Sequence, residues 1–124
     1  MAMLQPRESV PHFDVARTDG QPVRYASIWQ RKNLVLVRLP DPMTGDAEEY
    51  AAQLTARLPE ITGQDAECVI TRDEVPGMPA PGVLVADRWG EVHFVQAGRP
   101  PVAELIEWLQ YLQVKCPECE GESR

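Results

Sequence analysis

The stretch Leu34–Tyr50, LVLVRLPDPMTGDAEEY, decides how the rest of the chain folds. Its first six residues are apolar apart from one arginine and include two valines, a pattern typical of a strand covered on both faces. A loop with two prolines and a glycine follows, and an acidic segment then begins a helix. This order of strand, loop and helix is the arrangement in which α/β folds build active sites. The sequence therefore predicts a central strand over residues 34–39 and a site, active or lost, in the loop that follows.

The helix after this loop is predicted from its capping residues and its periodicity. Asp46 can act as the N-cap while Glu49, three residues later, reaches back to complete a capping box. This accounts for both carboxylates without a catalytic role. We expect Pro59 to end the helix. The apolar positions at helical spacing are Ala47, Tyr50, Ala51, Leu54 and Leu58.

Turn residues divide the rest of the chain into short elements. Residues 10–15 and 21–24 predict an edge hairpin, and residues 25–32 predict a short helix. A strand over 66–71 precedes the shaped loop VPGMPAPG at 75–82. Segments 83–86 and 91–96 predict a second hairpin, joined by a four-residue turn.

A last helix is predicted to begin at Pro101, because proline fits the first turn of a helix. Its buried stripe consists of Val102, Leu105, Ile106, Leu109 and Leu112. We therefore expect one domain over residues 1–113 and a tail over 114–124.

Charge and length exclude several classes of protein. With 12 Lys and Arg against 19 Asp and Glu, the net charge of -7 repels nucleic acid and anionic lipid, so neither is expected as a partner. The first residues show no signal peptide and no membrane-spanning segment. We expect a cytoplasmic protein.

The order strand, helix, strand, Pro-rich loop, hairpin and helix resembles the thioredoxin fold. The segment VPHFDVARTDGQPVRYASIW at 10–29 looks like the leading hairpin of peroxiredoxins (the AhpC/TSA family) and TlpA-like redoxins. This resemblance covers residues 10–113. It implies an α/β thioredoxin-like fold, with a central mixed sheet flanked by helices and an N-terminal β-hairpin extension.

The same resemblance implies that the family's catalytic site has been lost. Peroxiredoxins carry a P-x-x-x-T-x-x-C motif after the central strand, and here Pro40 and Thr44 match its first two positions while Ala47 matches the cysteine. In an alignment to the W-C-x-x-C motif of TlpA-like redoxins, residues 44–47 replace the whole redox pair. The chemistry of both families needs a thiolate at a helix N-terminus, and a methyl group cannot supply it.

A second part of the resemblance implies a polypeptide-binding surface. Peroxiredoxins place a peroxide-binding arginine before the hairpin strand, whereas thioredoxins place a cis-proline there, and Pro81 follows Ala80 at this point. In thioredoxins the residue before this proline pairs with an extended peptide. Met43 and Met78 add adaptable thioethers at the same end of the fold, although they can equally fill packing gaps. We expect a polypeptide partner at a loop end formed by residues 40–46 and 76–82.

Cys116 and Cys119 form the only paired-thiol motif, CPEC. The pair is interpreted as a redox dithiol, as half of a zinc site completed by a second chain in a homodimer, or as a tail without chemistry. Three glutamates and the preceding helix C-terminus disfavour a thiolate and favour a bound cation, so zinc ranks above redox chemistry. No other cofactor is expected.

Three further residues have types that often carry chemistry. Cys68 lies in a predicted strand and is expected to be a small buried side chain. The spacing of His12 and His93 to each other and to carboxylates indicates no ligand set, so both are expected to be structural or exposed.

The sequence thus predicts a redoxin-like protein without the family's active site, acting as a polypeptide-binding or redox-associated accessory protein. The alternative hypothesis is a thiol-disulfide oxidoreductase, or a zinc-linked dimer, that uses Cys116 and Cys119.

Overall fold

The computed structural model describes residues 3–114. Its elements in chain order are β1 (Asp14–Ala16), β2 (Pro22–Arg24), a 3-10 helix (Tyr25–Ser27), β3 (Asn33–Arg38), α1 (Gly45–Ala56), α2 (Leu58–Thr62), β4 (Ala66–Thr71), β5 (Gly82–Ala86), β6 (Val92–Ala97) and α3 (Val102–Val114). Within these residues, no helix combines the length and the apolar character needed to cross a bilayer.

A mixed four-stranded sheet forms the centre of the fold, in the order β4-β3-β5-β6. Strand β3 runs parallel to β4 and antiparallel to β5, and β5 forms an antiparallel hairpin with β6. The predicted central strand is confirmed, because β3 is internal and its residues Leu34–Val37 are fully buried.

The two faces of this sheet carry two different cores. Val35 and Val37 of β3 pack on the face covered by the three α-helices, which we call the helix-side core. Leu34 and Leu36 point to the opposite face and pack in the hairpin-side core, which β1 and the 3-10 helix cover. This alternation follows from the two-residue period of a strand.

The predicted N-terminal hairpin is confirmed, but its elements are shorter than predicted. β1 and β2 pair with each other in a separate two-stranded sheet, and an isolated antiparallel bridge between Arg17 and Thr71 joins the end of β1 to the edge strand β4. The predicted helix over 25–32 is one 3-10 turn, Tyr25–Ser27, whose buried Tyr25 stacks on Phe13. A single anchored turn is enough to close the hairpin-side core.

The start of α1 corrects the prediction that Asp46 is the N-cap. Thr44 is the N-cap, and its Oγ1 accepts a hydrogen bond from the backbone N–H of Ala47 at 3.1 Å. Asp46 lies in the first turn, 3.6 Å from the guanidinium group of Arg99. Both Thr and Asp are good caps, and the extended backbone of Thr44 before the flexible Gly45 decides which one is used.

The end of α1 corrects the prediction made for Pro59. The helix ends at Ala56, and Arg57 leaves the helical conformation. Pro59 instead lies in the first turn of α2, where its missing N–H leaves no hydrogen bond unmade.

Replacing Thr44 with alanine should reduce the free energy of unfolding by about 1 kcal/mol, because the Ala47 N–H loses its acceptor. Urea unfolding monitored by circular dichroism measures this loss. Thr55→Ala is the matched control, since the Thr55 hydroxyl only bonds back to the Ala51 carbonyl within α1 and its removal should be neutral or slightly stabilising. An Asp46→Ala variant as destabilised as Thr44→Ala would contradict the assignment of the cap.

Candidate functional site

The loop end predicted from the sequence lies where β3 ends and β5 begins. Arg38, the last residue of β3, pairs with Gly82, the first residue of β5, so the loops 40–46 and 76–82 start from adjacent strands. Helix α1 also begins there. The Ala80–Pro81 peptide bond is cis, and so is Asp41–Pro42. The structure therefore places Pro40, Thr44 and Ala47 at the same end of the sheet as Pro81.

Ala47 contributes a buried methyl group to the first turn of α1. Its side chain is fully buried in the helix-side core, and its N–H is used by the Thr44 cap. Within residues 3–114, the Thr44 hydroxyl has no histidine or carboxylate as a hydrogen-bond partner. This turn therefore holds no nucleophile activated by a neighbouring base.

The two methionines predicted to share a binding surface lie on opposite faces of the sheet. Met43 is half-buried and packs against the helix-side core, whereas Met78 is buried in the hairpin-side core. The Met78 carbonyl accepts a hydrogen bond from Nη1 of Arg38. Met78 thus shapes the 76–82 loop from inside, and of the two thioethers only that of Met43 reaches the loop surface.

Ala80 is the position in this loop where backbone hydrogen-bonding groups remain unused. The residue is exposed, and neither its N–H nor its C=O makes a hydrogen bond within the described part of the chain. The neighbouring positions differ, because the Pro81 carbonyl accepts a hydrogen bond from the Gly98 N–H at 2.9 Å and Gly82 pairs with Arg38. Ala80 therefore carries one backbone donor and one backbone acceptor that are unpaired within residues 3–114.

Cys68 is a buried thiol in β4, as predicted, with 4% of its surface exposed. Burial raises the pKa of this thiol to about 12, while Arg17 lowers it and Glu67 raises it to smaller extents. The thiolate is therefore almost absent at neutral pH. Cys116 and Cys119 lie outside the described residues, so their redox and zinc interpretations stay predictions, as does the boundary between the domain and the tail.

A cluster of titratable side chains lies at the opposite end of β5, where the sequence indicated none. Nε2 of His93 is 2.9 Å from a carboxylate oxygen of Asp87 and 3.8 Å from one of Glu91. Burial alone would raise the pKa of Asp87, but hydrogen bonds from the His93 ring and from the N–H groups of Glu91 and Trp89 lower it below its ordinary value. His12 differs, because it is exposed and lies edge-on to the rings of Tyr25 and Trp29.

The signal that could have found this cluster is the hairpin itself. A four-residue turn returns the chain beside Asp87, so the residues just after the turn face its side chain. The other carboxylate oxygen of Asp87 accepts the N–H groups of Trp89 at 2.9 Å and Glu91 at 3.0 Å, which holds Asp87 toward the returning strand. The spacing of Asp87 and His93 along the sequence does not indicate this contact, because the two residues lie on opposite sides of the turn.

An open groove of about 720 Å³ adjoins the cluster, between β6 and α3. We call it the β6–α3 groove. Its lining residues are Pro6, Arg7, Glu91, Val92, His93, Glu104, Glu107, Trp108 and Tyr111.

No protein-family model and no curated protein matches the chain. Among solved structures, it is similar to the yeast mitochondrial 1-Cys peroxiredoxin, with a TM-score of 0.72, 12% identity and coverage of 90% of this chain and 78% of the other. Its similarity to AhpC of Mycobacterium tuberculosis has a TM-score of 0.71 at 14% identity, covering 94% and 98% of the two chains. The chain has a peroxiredoxin-like thioredoxin fold.

A candidate protein disulfide isomerase from Bacteroides thetaiotaomicron supports the broader fold assignment. It matches with a TM-score of 0.66 and 16% identity, over 93% of this chain and 96% of the other. At such low identities, the similarity establishes a thioredoxin fold shared with redox proteins. The function of this chain must be argued from its own residues.

We expect Cys68 to be unreactive in the native protein, because its pKa of about 12 leaves about one thiolate in ten thousand thiols at pH 8. A Cys116→Ser/Cys119→Ser variant isolates this thiol. Titration with a disulfide reagent such as DTNB at pH 8 should detect almost no thiol in the native variant and one per chain in urea. Rapid stoichiometric reaction without urea would show that the thiol is accessible.

Proposed function

We propose that this protein binds an extended segment of a polypeptide partner without catalysing a reaction on it. The binding site is the loop end formed by residues 40–46 and 76–82. In this proposal Ala47 takes the place of the peroxidatic cysteine in the sequences that the chain resembles. The observation that carries the proposal is the exposed Ala80, whose backbone N–H and C=O are unpaired within the described residues and lie at the same end of the sheet as a helix start without a thiol.

The first turn of α1 supports the non-catalytic part of the proposal. In a reactive thiol site, the free N–H groups of a helix N-terminus stabilise the thiolate. Here one of these N–H groups, that of Ala47, is bound by Thr44, and the Ala47 side chain is buried in the core. The first turn of α1 therefore uses this N–H group for helix capping, so it is not available to stabilise a thiolate.

Ala80 supports the binding part. An extended peptide that pairs with its N–H and C=O would form the backbone contacts of strand addition. Each such hydrogen bond contributes about 0.5–1.5 kcal/mol, so the pair alone gives weak binding. Additional affinity must come from side-chain contacts, for which half-buried Met43 and the exposed Pro42 offer apolar surface. We therefore expect dissociation constants of about 1 μM or weaker.

A permanently unfolded, thiol-blocked polypeptide such as carboxymethylated α-lactalbumin tests the binding. Its titration should shift amide NMR signals of residues 40–46 and 76–82. Ala80→Arg should weaken binding at least about tenfold, because the arginine side chain would cover the backbone groups that pair with the peptide. A tenfold loss corresponds to about 1.4 kcal/mol of binding free energy. The matched control is Ala56→Arg, at the exposed far end of α1, which should change affinity less than about twofold. Signal shifts confined to other surfaces, or equal effects of the two variants, would refute the proposed site.

The absence of catalysis at the loop end gives a separate prediction. With hydrogen peroxide and dithiothreitol, the protein should consume peroxide no faster than the reductant alone, since Ala47 supplies no thiolate. A peroxidase rate retained in a variant with all three cysteines, Cys68, Cys116 and Cys119, replaced by serine would overturn this assignment.

Insulin reduction separates the proposal from the oxidoreductase hypothesis. Activity that is present in the parent and lost in Cys116→Ser/Cys119→Ser would place redox chemistry at those cysteines. An inactive parent would exclude the oxidoreductase hypothesis and leave the binding proposal standing.

A further inference from the structure

The cluster of Asp87, Glu91 and His93 differs from the other ion pairs in the described part of the chain. Every other ion pair there joins a carboxylate to an arginine. Here two carboxylates converge on one imidazole, and no Lys or Arg forms an ion pair with either of them within residues 3–114. Two negative charges around one ring give a local excess of charge that a cation would compensate.

The donor atoms of the three residues lie close together. One donor atom from each of the three residues lies within 4.8 Å of the other two, and the two distances to His93 Nε2 are 2.9 and 3.8 Å. Bonds of about 2.0–2.2 Å to Zn²⁺ place neighbouring donors about 3.0–3.6 Å apart. The Asp87–His93 distance is close to this range, and a shift of the partly exposed Glu91 side chain would bring its carboxylate nearer to His93.

The surrounding backbone holds the cluster in place before any ion binds. One carboxylate oxygen of Asp87 accepts two backbone N–H groups, which leaves its other oxygen directed at His93. The side chains of His93 and Asp87 are 10% and 19% exposed, whereas that of Glu91 is 45% exposed. The cluster therefore has two fixed members and one adjustable member at the rim.

The β6–α3 groove gives an ion access to the cluster. Glu91 and His93 line this groove, and Glu104 and Glu107 line it as well. Their carboxylates form no ion pair within the described part of the chain, so they add to the negative potential that attracts a cation. Arg7 also lines the groove and offsets one of these negative charges. An ion bound at the cluster would keep a coordination position open toward the groove.

We propose that Asp87, Glu91 and His93 form a binding site for a divalent transition-metal ion of the Zn²⁺ type, open to the β6–α3 groove. One imidazole and two carboxylates are ligands that Zn²⁺ accepts, and three protein ligands leave a fourth position for water or another ligand. Nε2 of His93 lies 2.9 Å from Asp87, and a bound ion would replace this hydrogen bond. The site lies at the end of β5 opposite to the proposed polypeptide-binding loops and does not depend on them.

Calorimetric titration with Zn²⁺ tests the site in the full chain carrying Cys116→Ser/Cys119→Ser, which removes the thiols that could bind zinc independently. We expect one ion per chain. Co²⁺ in place of Zn²⁺ should give weak visible bands without the near-ultraviolet absorption of a cobalt–thiolate bond. Binding should also move the ring NMR signals of His93 and leave those of His12 unchanged.

Variants with matched controls distinguish coordination from general attraction. Glu91→Gln should weaken Zn²⁺ binding at least about tenfold, and His93→Gln should abolish it. Glu104→Gln removes the same charge from the same groove without removing a ligand, and should weaken binding less than about threefold. His12→Gln, which removes the other histidine, should have no effect.

Circular dichroism and urea unfolding will show whether the Glu91→Gln variant is folded. We expect an intact fold, because the Glu91 side chain is the most exposed of the three. Absence of Zn²⁺ binding at about 100 μM in the serine background would overturn the proposal. It would also be overturned if Glu91→Gln and Glu104→Gln weakened binding equally, or if His12→Gln abolished it.

Discussion

The side chains of Leu34, Val35, Leu36 and Val37 alternate between the two cores and are completely removed from water. Burying each contributes about 1.5–3 kcal/mol, and the whole free energy of unfolding of a domain is only about 5–15 kcal/mol. Neither face of β3 can therefore be left uncovered. The three helices and the N-terminal hairpin take their positions from this requirement, since one group covers each face.

The sequence predicted the secondary structure correctly where a clear apolar periodicity or a turn signal determines it. The apolar run of β3, the stripe of α3 and the turn between β5 and β6 each have a periodicity or a turn signal that tertiary contacts do not override. The predicted boundaries of α1 were wrong because more than one residue near each end of the helix is suited to cap it or to end it. Thr44 and Asp46 are both suitable caps, and Pro59 is as acceptable in a first turn as after a last one.

The candidate sites were less predictable, because they depend on which side chains the sheet separates and which a turn joins. Met43 and Met78 belong to loops that begin at one end of the sheet, yet β3 and β5 lie between their side chains. Asp87 and His93 show the opposite case. Their contact depends on the backbone hydrogen bonds that orient the Asp87 carboxylate, and no spacing rule describes these.

The Thr44 cap also affects what a single substitution to cysteine in the first turn of α1 could achieve. A cysteine placed at Ala47 would enter a fully buried position, where desolvation raises the pKa of a thiol as it does at Cys68. Its own N–H would still be held by Thr44, so the helix terminus could offer it less stabilisation. Thiolate chemistry at this position would require changes in the helix start as well as in the side chain. Packing at the first turn of α1, as well as the lack of a cysteine there, therefore disfavours a thiolate at the loop end.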